Sequence, residues 1–343
     1  MVNNWYNIPQ QTKVNAYTQI AETTGMAPFA VEKDWWVVQV LSALFELDIG
    51  SSLIFKGGTS LSKAWGLIER FSEDVDLVFD RSFFGYDGKI NRTQVRKLRK
   101  DAGKYFETTL APKLENRLIY KGLSGIKQRY IKQKASDADP IKIEINYPNV
   151  MEYPGAMEPR VLLEISCSSL VEPSKTRSIN SLLDEQYPDA DFSQKHIDIP
   201  VVVPERTFLE KLFLLHEEFH RPKDRVRTKR QSRHLYDIFQ LLKSEYGLMA
   251  IDNRELYATI VKHRYTFNRV GGVDYNLHQP SFLNPVPPQE FVKPLKDDYT
   301  TMQEEMIYGD SPGFDQIMGT ISAVTEYIIN LLDWRIDIEF PKP

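Results

Sequence analysis

The stretch FKGGTSLSKAWGLIERFSEDVDLVFDR, residues 55–81, decides how this chain folds. A β-like run, Ser52–Phe55, is halted by Lys56-Gly57-Gly58, and SLSKAWGLIE beyond it reads as a short helix. Two glycines let a backbone approach a bulky anion closely. A helix start adds unpaired N–H groups and a positive dipole end. With Thr59, Ser60 and Lys63 as further donors, Gly57-Gly58 reads as a phosphate cradle, though not a Walker A loop, because GxxxxGK[ST] is absent. The alternative is a plain strand-to-helix turn. Val75–Phe79 then reads as a second strand with Asp74 and Asp76 at its start. At i, i+2 the two acids share a face, about 6.6 Å apart. Their repulsion is about 2.5 kcal/mol at an effective dielectric near 20. A partly buried pair therefore calls for a cation, and hard oxygen ligands suit Mg²⁺; a fully solvated strand edge needs none.

Outward from this stretch, VNAYTQIAETTG and Val31–Leu47 have helical character, and a Lys- and Arg-rich helical pattern runs over Thr93–Leu118. Three strand-like runs follow, starting at Ile126, Ile141 and Val161. In the second, Ile141, Ile143 and Ile145 alternate with Lys142, Glu144 and Asn146. Glu144, central in IKIEI, is a third carboxylate from a neighbouring strand; Glu164 in LLEI competes for that role. Residues 171–204 mix Pro, Ser, Asp and short apolar pieces and read as a connection between lobes. Beyond Pro204 the pattern is helical at 206–219, 232–246, 252–264 and 313–333, with an irregular proline-rich loop between Asn276 and Pro294. The expected fold class is mixed α/β: an α/β lobe over 1–200 and a mainly helical lobe over 201–343.

The 343 residues are enough for about two domains. Hydrophobic residues make up 42% and charged residues 26%, which excludes global disorder. With 43 basic against 47 acidic residues the net charge is −4, so any polyanion site must be a local patch. The single cysteine, Cys167, allows no internal disulfide and no cysteine-based zinc site. MVNNWYNIPQQTK lacks the apolar core of a signal peptide, and no apolar run reaches about 20 residues. A soluble, cytoplasmic protein without membrane attachment is expected.

Together these features resemble the nucleotidyltransferase superfamily of the polymerase-β type. That pattern is a hydrophobic residue with Gly and Gly/Ser, then acid-x-acid, then a third acid between hydrophobics. Gly57, Gly58 and Ser60, Asp74 and Asp76, and Glu144 match it. The wording FKGGTSLSK…RFSEDVDL is similar to the AbiEii/AbiGii branch of abortive-infection toxins, the toxin halves of toxin–antitoxin pairs. VEKDWWVVQVLSAL is similar to that branch's N-terminal helix. Two further family motifs are matched by Glu205–Lys211, ending on Lys211, and by Arg233-His234-Leu235-Tyr236-Asp237, where His234 stands in place of the family's first Asp. The resemblance spans about residues 25–245. It implies a polymerase-β-like nucleotidyltransferase core with a helical C-terminal lobe, and a Mg²⁺-dependent toxin that moves a nucleotide from an NTP to an acceptor hydroxyl. RNA, in particular the tRNA 3′ end, is the acceptor it suggests, and a cognate antitoxin the partner. By this match Asp74, Asp76 and Glu144 hold one or two Mg²⁺. Gly57, Gly58, Thr59 and Ser60 cradle phosphates, Lys63 or Lys211 offsets negative charge, and Asp237 orients Lys211 or the base-side groups.

Read from the residues alone, Phe208, Leu212, Leu215 and Phe219 form a core stripe. Lys211 flanks it and would snorkel to solvent, and Asp237 would pair with Arg233 one turn before it. The run RPKDRVRTKRQSR, residues 221–233, carries seven cations against Asp224, which suits a triphosphate or an RNA backbone as well as a solvated loop. Residues 96–104 are a weaker basic candidate. His216-Glu217-Glu218-Phe219-His220 fits HExxH, the zinc-protease signature. His216 points at the core stripe, however, so a structural, buried histidine is expected. The alternative to an enzyme is an inactive nucleotidyltransferase fold retained as a binding module.

Overall fold

The strict alternation at residues 141–146 is realised in a seven-stranded mixed sheet, whose isoleucine row is fully covered. The computed structural model describes residues 4–72, 74–154 and 157–342. Its strands are β1 (Leu53–Lys56), β2 (Asp74–Phe79), β3 (Lys127–Ile131), β4 (Ile141–Asn146), β5 (Arg160–Ser166), β6 (Ser174–Ile179) and β7 (Ile197–Val202). They lie in the order β3-β4-β5-β2-β1-β7-β6. β1 runs antiparallel to β2, and β5 parallel to β2. Helices of this part are α1 (Gln10–Thr24), α2 (Pro28–Phe45), α3 (Gly57–Lys63), α4 (Arg92–Tyr105), α5 (Ala111–Tyr120) and α6 (Leu182–Gln186). One π-helical turn, Phe106–Leu110, joins α4 to α5 within the single pattern expected over 93–118.

The chain divides into two units, Met1–Ala64 with Phe71–Val202, and Trp65–Arg70 with Val203–Pro343. The hexapeptide 65–70 thus belongs to the second unit although the sequence around it belongs to the first. The expected connection at 171–204 is corrected: β6, α6 and β7 extend the first unit's sheet there. β6 reads SKTRSI and is largely exposed at the sheet edge, so it carries no hydrophobic signal.

The second unit is helical: α7 (Pro204–Phe219), α8 (Ser232–Leu242), α9 (Glu245–Asp252), α10 (Arg254–Phe267), α11 (Gln289–Glu305) and α12 (Phe314–Leu331). α7 packs on α8, α9 and α10, and α8 packs on α11 and α12. The stripe Phe208, Leu212, Leu215 and Phe219 is buried as expected. The irregular loop is shorter than expected, because α11 starts at Gln289 and runs through Pro294. That proline supplies no N–H to the helix's hydrogen-bond ladder. Among the described residues no helix is long and apolar enough to cross a membrane.

α2 is buried around its whole circumference, two charged residues included. Glu32, 2% exposed, accepts from the Val150 and Met151 amides at 2.8 and 3.1 Å, which ties the loop after β4 to α2. Burial pushes its carboxyl up, and the two amides and Lys13 offset this only in part, leaving it at about 7 against 4.5 unfolded. Between those values the folded protein keeps a proton that the unfolded chain has lost. Stability from this group therefore falls as pH rises, by about 3 kcal/mol over the window. Glu32→Gln should flatten the decline between pH 5 and 7 in denaturation titrations. An unchanged slope would show that the carboxyl titrates normally.

Candidate active site

The turn between β1 and α3 is built against Asp76. Register pairs Lys56 with Asp76, and Gly57 follows at φ 80°. A Cβ at Gly57 would lie 2.2 Å from Asp76 Oδ2, so only glycine fits, for conformation and for space. Asp74 and Asp76 are half-buried on one face of β2, while Val75, Leu77 and Phe79 are buried on the other. Alternation along the strand separates a wet acidic row from the core.

Three expected phosphate donors are committed elsewhere, which corrects the sequence reading. Thr59 Oγ1 donates to the Asp74 carbonyl at 2.5 Å, and Ser60 Oγ donates to the Gly57 carbonyl at 2.9 Å. Both side chains are buried, so their hydroxyls stitch the turn to β2 instead of facing a ligand. Lys63 pairs with Asp34 of α2 at 2.7 Å, and Asp34 also accepts from the Leu182 amide at the start of α6. Lys63 is a strut between helices. Gly58 is buried beside Gly57.

Across the sheet, residues fall into two rows on the acidic face. One row is Lys142, Glu164, Asp76 and Lys56; the other is Arg129, Glu144, Leu162 and Asp74. Glu164 therefore stands beside Asp76 on the adjacent strand, about 4.8 Å away, whereas Glu144 is two strands from β2 with Leu162 between. The Glu144 carboxylate accepts from Asn146, Arg129 and Arg160. Burial raises its pKa, but these three donors outweigh burial and hold it below the usual range. Glu164 pairs with Lys142. The register brings Glu164, not the expected Glu144, to the aspartates. Among the described residues no three acids, histidines or cysteines converge closely enough to enclose a metal. Two half-exposed carboxylates nevertheless suit Mg²⁺, which is commonly held by one or two carboxylates plus substrate phosphates.

Sequence reasoning passed over Lys56, taking it only as the residue that halts a strand. Its ammonium donates to Ser169 Oγ at 2.9 Å. The available signal was its place one residue before a glycine pair; its register partner, Asp76, is visible only in the fold.

The second unit holds a buried charge cluster. Asp237, with no exposure, accepts from Arg70 Nε and Nη2 at 2.7 Å each and from Lys211 at 2.8 Å. Burial alone would raise the Asp237 carboxyl, but Arg70 and Lys211 outweigh it and hold it well below the usual range. Burial lowers Lys211 despite Asp237. The expected snorkelling of Lys211 is corrected, since it lies 8% exposed in this cluster. Arg70, the third member, was not foreseen because it is distant in sequence. Desolvation, then Lys211, keeps His234 far below its usual pKa, so it is neutral.

His216 has no exposure, as expected. Its Nδ1 accepts from the Asn284 amide at 3.0 Å, which leaves the ring proton on Nε2 in the neutral form. Nε2 is the nitrogen an HExxH helix would present to zinc. Glu217 is occupied by Arg264 and by His278 Nε2. It is buried, but Arg264 and His278 outweigh burial and lower it to about 2, which disfavours a role as general base. Metal analysis of purified protein should find no stoichiometric zinc, and a zinc-selective chelator should leave the melting temperature unmoved. Stoichiometric zinc with activity lost on chelation would overturn this.

The run 221–233 is less free than its composition suggests. Arg221 and Arg227 pair with Glu218, and Lys223 pairs with Glu290. Asp298 of α11 accepts from the Arg230 and Ser232 amides, fixing the turn before α8.

The family profile of AbiEii, nucleotidyl transferase toxins of type IV toxin–antitoxin systems, matches residues 39–320. No curated protein matches the chain. Among solved structures, JHP933 from Helicobacter pylori is similar at 15% identity over 88% of this chain and 91% of that one, with a TM-score of 0.42. Another H. pylori structure, under a provisional nucleotidyltransferase name, is similar at 16% identity over 87% of this chain and 93% of that one, with a TM-score of 0.42.

Proposed function

Since this chain belongs to the AbiEii nucleotidyl transferase toxin family, we propose that it moves a nucleotide from an NTP to an acceptor hydroxyl, with RNA, and first the tRNA 3′ end, as acceptor. The single observation that carries this is the packing of Gly57 on Asp76, which sets the Gly-Gly turn beside an acid pair that only glycine allows. In the reaction the acceptor oxygen bonds to the α-phosphorus, the bond from that phosphorus to the β-phosphate breaks, and pyrophosphate leaves. The acceptor proton passes to a carboxylate of the acidic face. Asp74 and Asp76 would hold Mg²⁺, with Glu164 in place of Glu144 as the third acid. When bound, the metal supplies charge neutralisation on the phosphates and a more acidic acceptor hydroxyl. Gly57 and Gly58 keep the turn low enough for phosphates to lie across it, while Thr59 and Ser60 hold its shape. For Lys211 we propose the offsetting of developing negative charge, and for Asp237 the orientation of that lysine.

Family membership implies an antitoxin partner, and we place the pair in the cytoplasm as an abortive-infection device. The test is incubation with each labelled NTP, Mg²⁺ and total RNA, following the label. Label on RNA with pyrophosphate released is the expected result. Tight NTP binding without transfer to RNA, protein or small molecules would instead favour an inactive fold kept as a binding module.

A further inference from the structure

The acidic face carries a cation whose hydrogen-bonded partner is neutral. Lys142 is joined to Glu164, and Lys63 is turned away to Asp34. Lys56 lies in the same row as Asp76 and Glu164, is half-buried, and donates to the Ser169 hydroxyl. Ser169 in turn donates to Ser166 Oγ at 3.1 Å, and Ser166 to Asp139 at 2.7 Å. The ammonium is thus three bonds removed from the nearest carboxylate of that relay.

The segment that supplies Ser169 folds over this face. Val171 packs on Ile54, Val78 and Val202, and Ile54 and Val78 are the same-face neighbours of Lys56 and Asp76 along their strands. A strap therefore lies along one side of the acid row, with Lys56 resting on it through a single hydroxyl. A neutral hydroxyl is a weaker partner for an ammonium than an anionic oxygen, so a phosphate reaching this face would draw the lysine from Ser169.

We propose that Lys56 binds the phosphate chain of the nucleotide, and that Ser169 parks its ammonium on the strap while the site is empty. This rests on the nucleotide-transfer reading above and adds a binding residue to it. In operation, the Lys56 Nζ exchanges one acceptor, Ser169 Oγ, for a non-bridging phosphate oxygen; no covalent bond changes.

The test is equilibrium binding of each NTP, NDP and NMP with Mg²⁺ to the full chain and to Lys56→Gln, Lys56→Arg and Ser169→Ala, with thermal melts to establish folding. Losing one charged hydrogen bond should weaken NTP binding by about ten- to hundredfold in Lys56→Gln. The NMP should be little affected, and Lys56→Arg should recover part of the loss. Ser169→Ala should bind NTP as well as the native chain or more tightly, since it removes the competing acceptor. Were Lys56 only an anchor for the strap, Lys56→Gln and Ser169→Ala would weaken all nucleotides alike, which would overturn the proposal. Native NTP affinity in Lys56→Gln would also overturn it while leaving the transferase reading standing. A native chain that binds no nucleotide would sink both.

Discussion

Replacing Asp74 and Asp76 together by Asn should remove Mg²⁺-dependent nucleotide transfer, lowering the rate by about 10³-fold or more, as expected when charge that acts on the transition state is deleted. The protein should stay folded. Both side chains are half-buried on the wet face, Asn keeps their shape, and the strand is anchored from its other side by Val75, Leu77 and Phe79. Of the third-acid candidates, Glu164→Gln should cost activity and Glu144→Gln mainly stability, because Glu144 is the partner of Arg129 and Arg160. Initial rates of labelled-NTP transfer, beside melting curves, check all three. Full transfer in the double aspartate variant would refute the assignment of the site.

Asp237→Ala should be the most damaging single change to stability, at about 3–5 kcal/mol, because it removes the buried carboxylate that pairs with both Arg70 and Lys211. That is a large share of the 5–15 kcal/mol that typically holds a protein together. Lys211→Met should cost much less, since Asp237 keeps both hydrogen bonds to Arg70 and the methionine fills the same space. Denaturant titration measures both. Equal losses would show that Arg70 does not neutralise Asp237 by itself. A deep loss of transfer in Lys211→Met, with stability nearly intact, would separate a chemical role for this lysine from a structural one.

The strands that matter for the acid pair were legible because their alternation is strong. Ile141–Ile145 alternates apolar with charged positions, and Val75–Phe79 sets Asp76 between the buried Val75 and Leu77. β6 was not legible, because an edge strand with little burial has no reason to alternate. Lateral order was hidden too. Nothing in IKIEI or LLEI says which strand lies next to β2, so Glu144 and Glu164 could be separated only by register. The same holds for Thr59, Ser60 and Lys63. Their chemistry suits phosphate, but whether a hydroxyl turns inward to a carbonyl depends on contacts that composition does not encode. The Arg70–Asp237 pair spans 167 positions, beyond any local pattern.

The membership of Trp65–Arg70 in the second unit bears on how freely the two units can be exchanged between proteins. A gene fragment beginning at Val203 would encode Asp237 and Lys211 but not Arg70, nor the Arg70–Ile307 bridge. The helical unit is thus not a portable cassette. Its own core borrows six residues encoded between the glycine pair and the aspartates, so a single recombination joint cannot move it intact. Divergence of the helical unit is accordingly constrained by a hexapeptide encoded within the other unit's stretch of sequence.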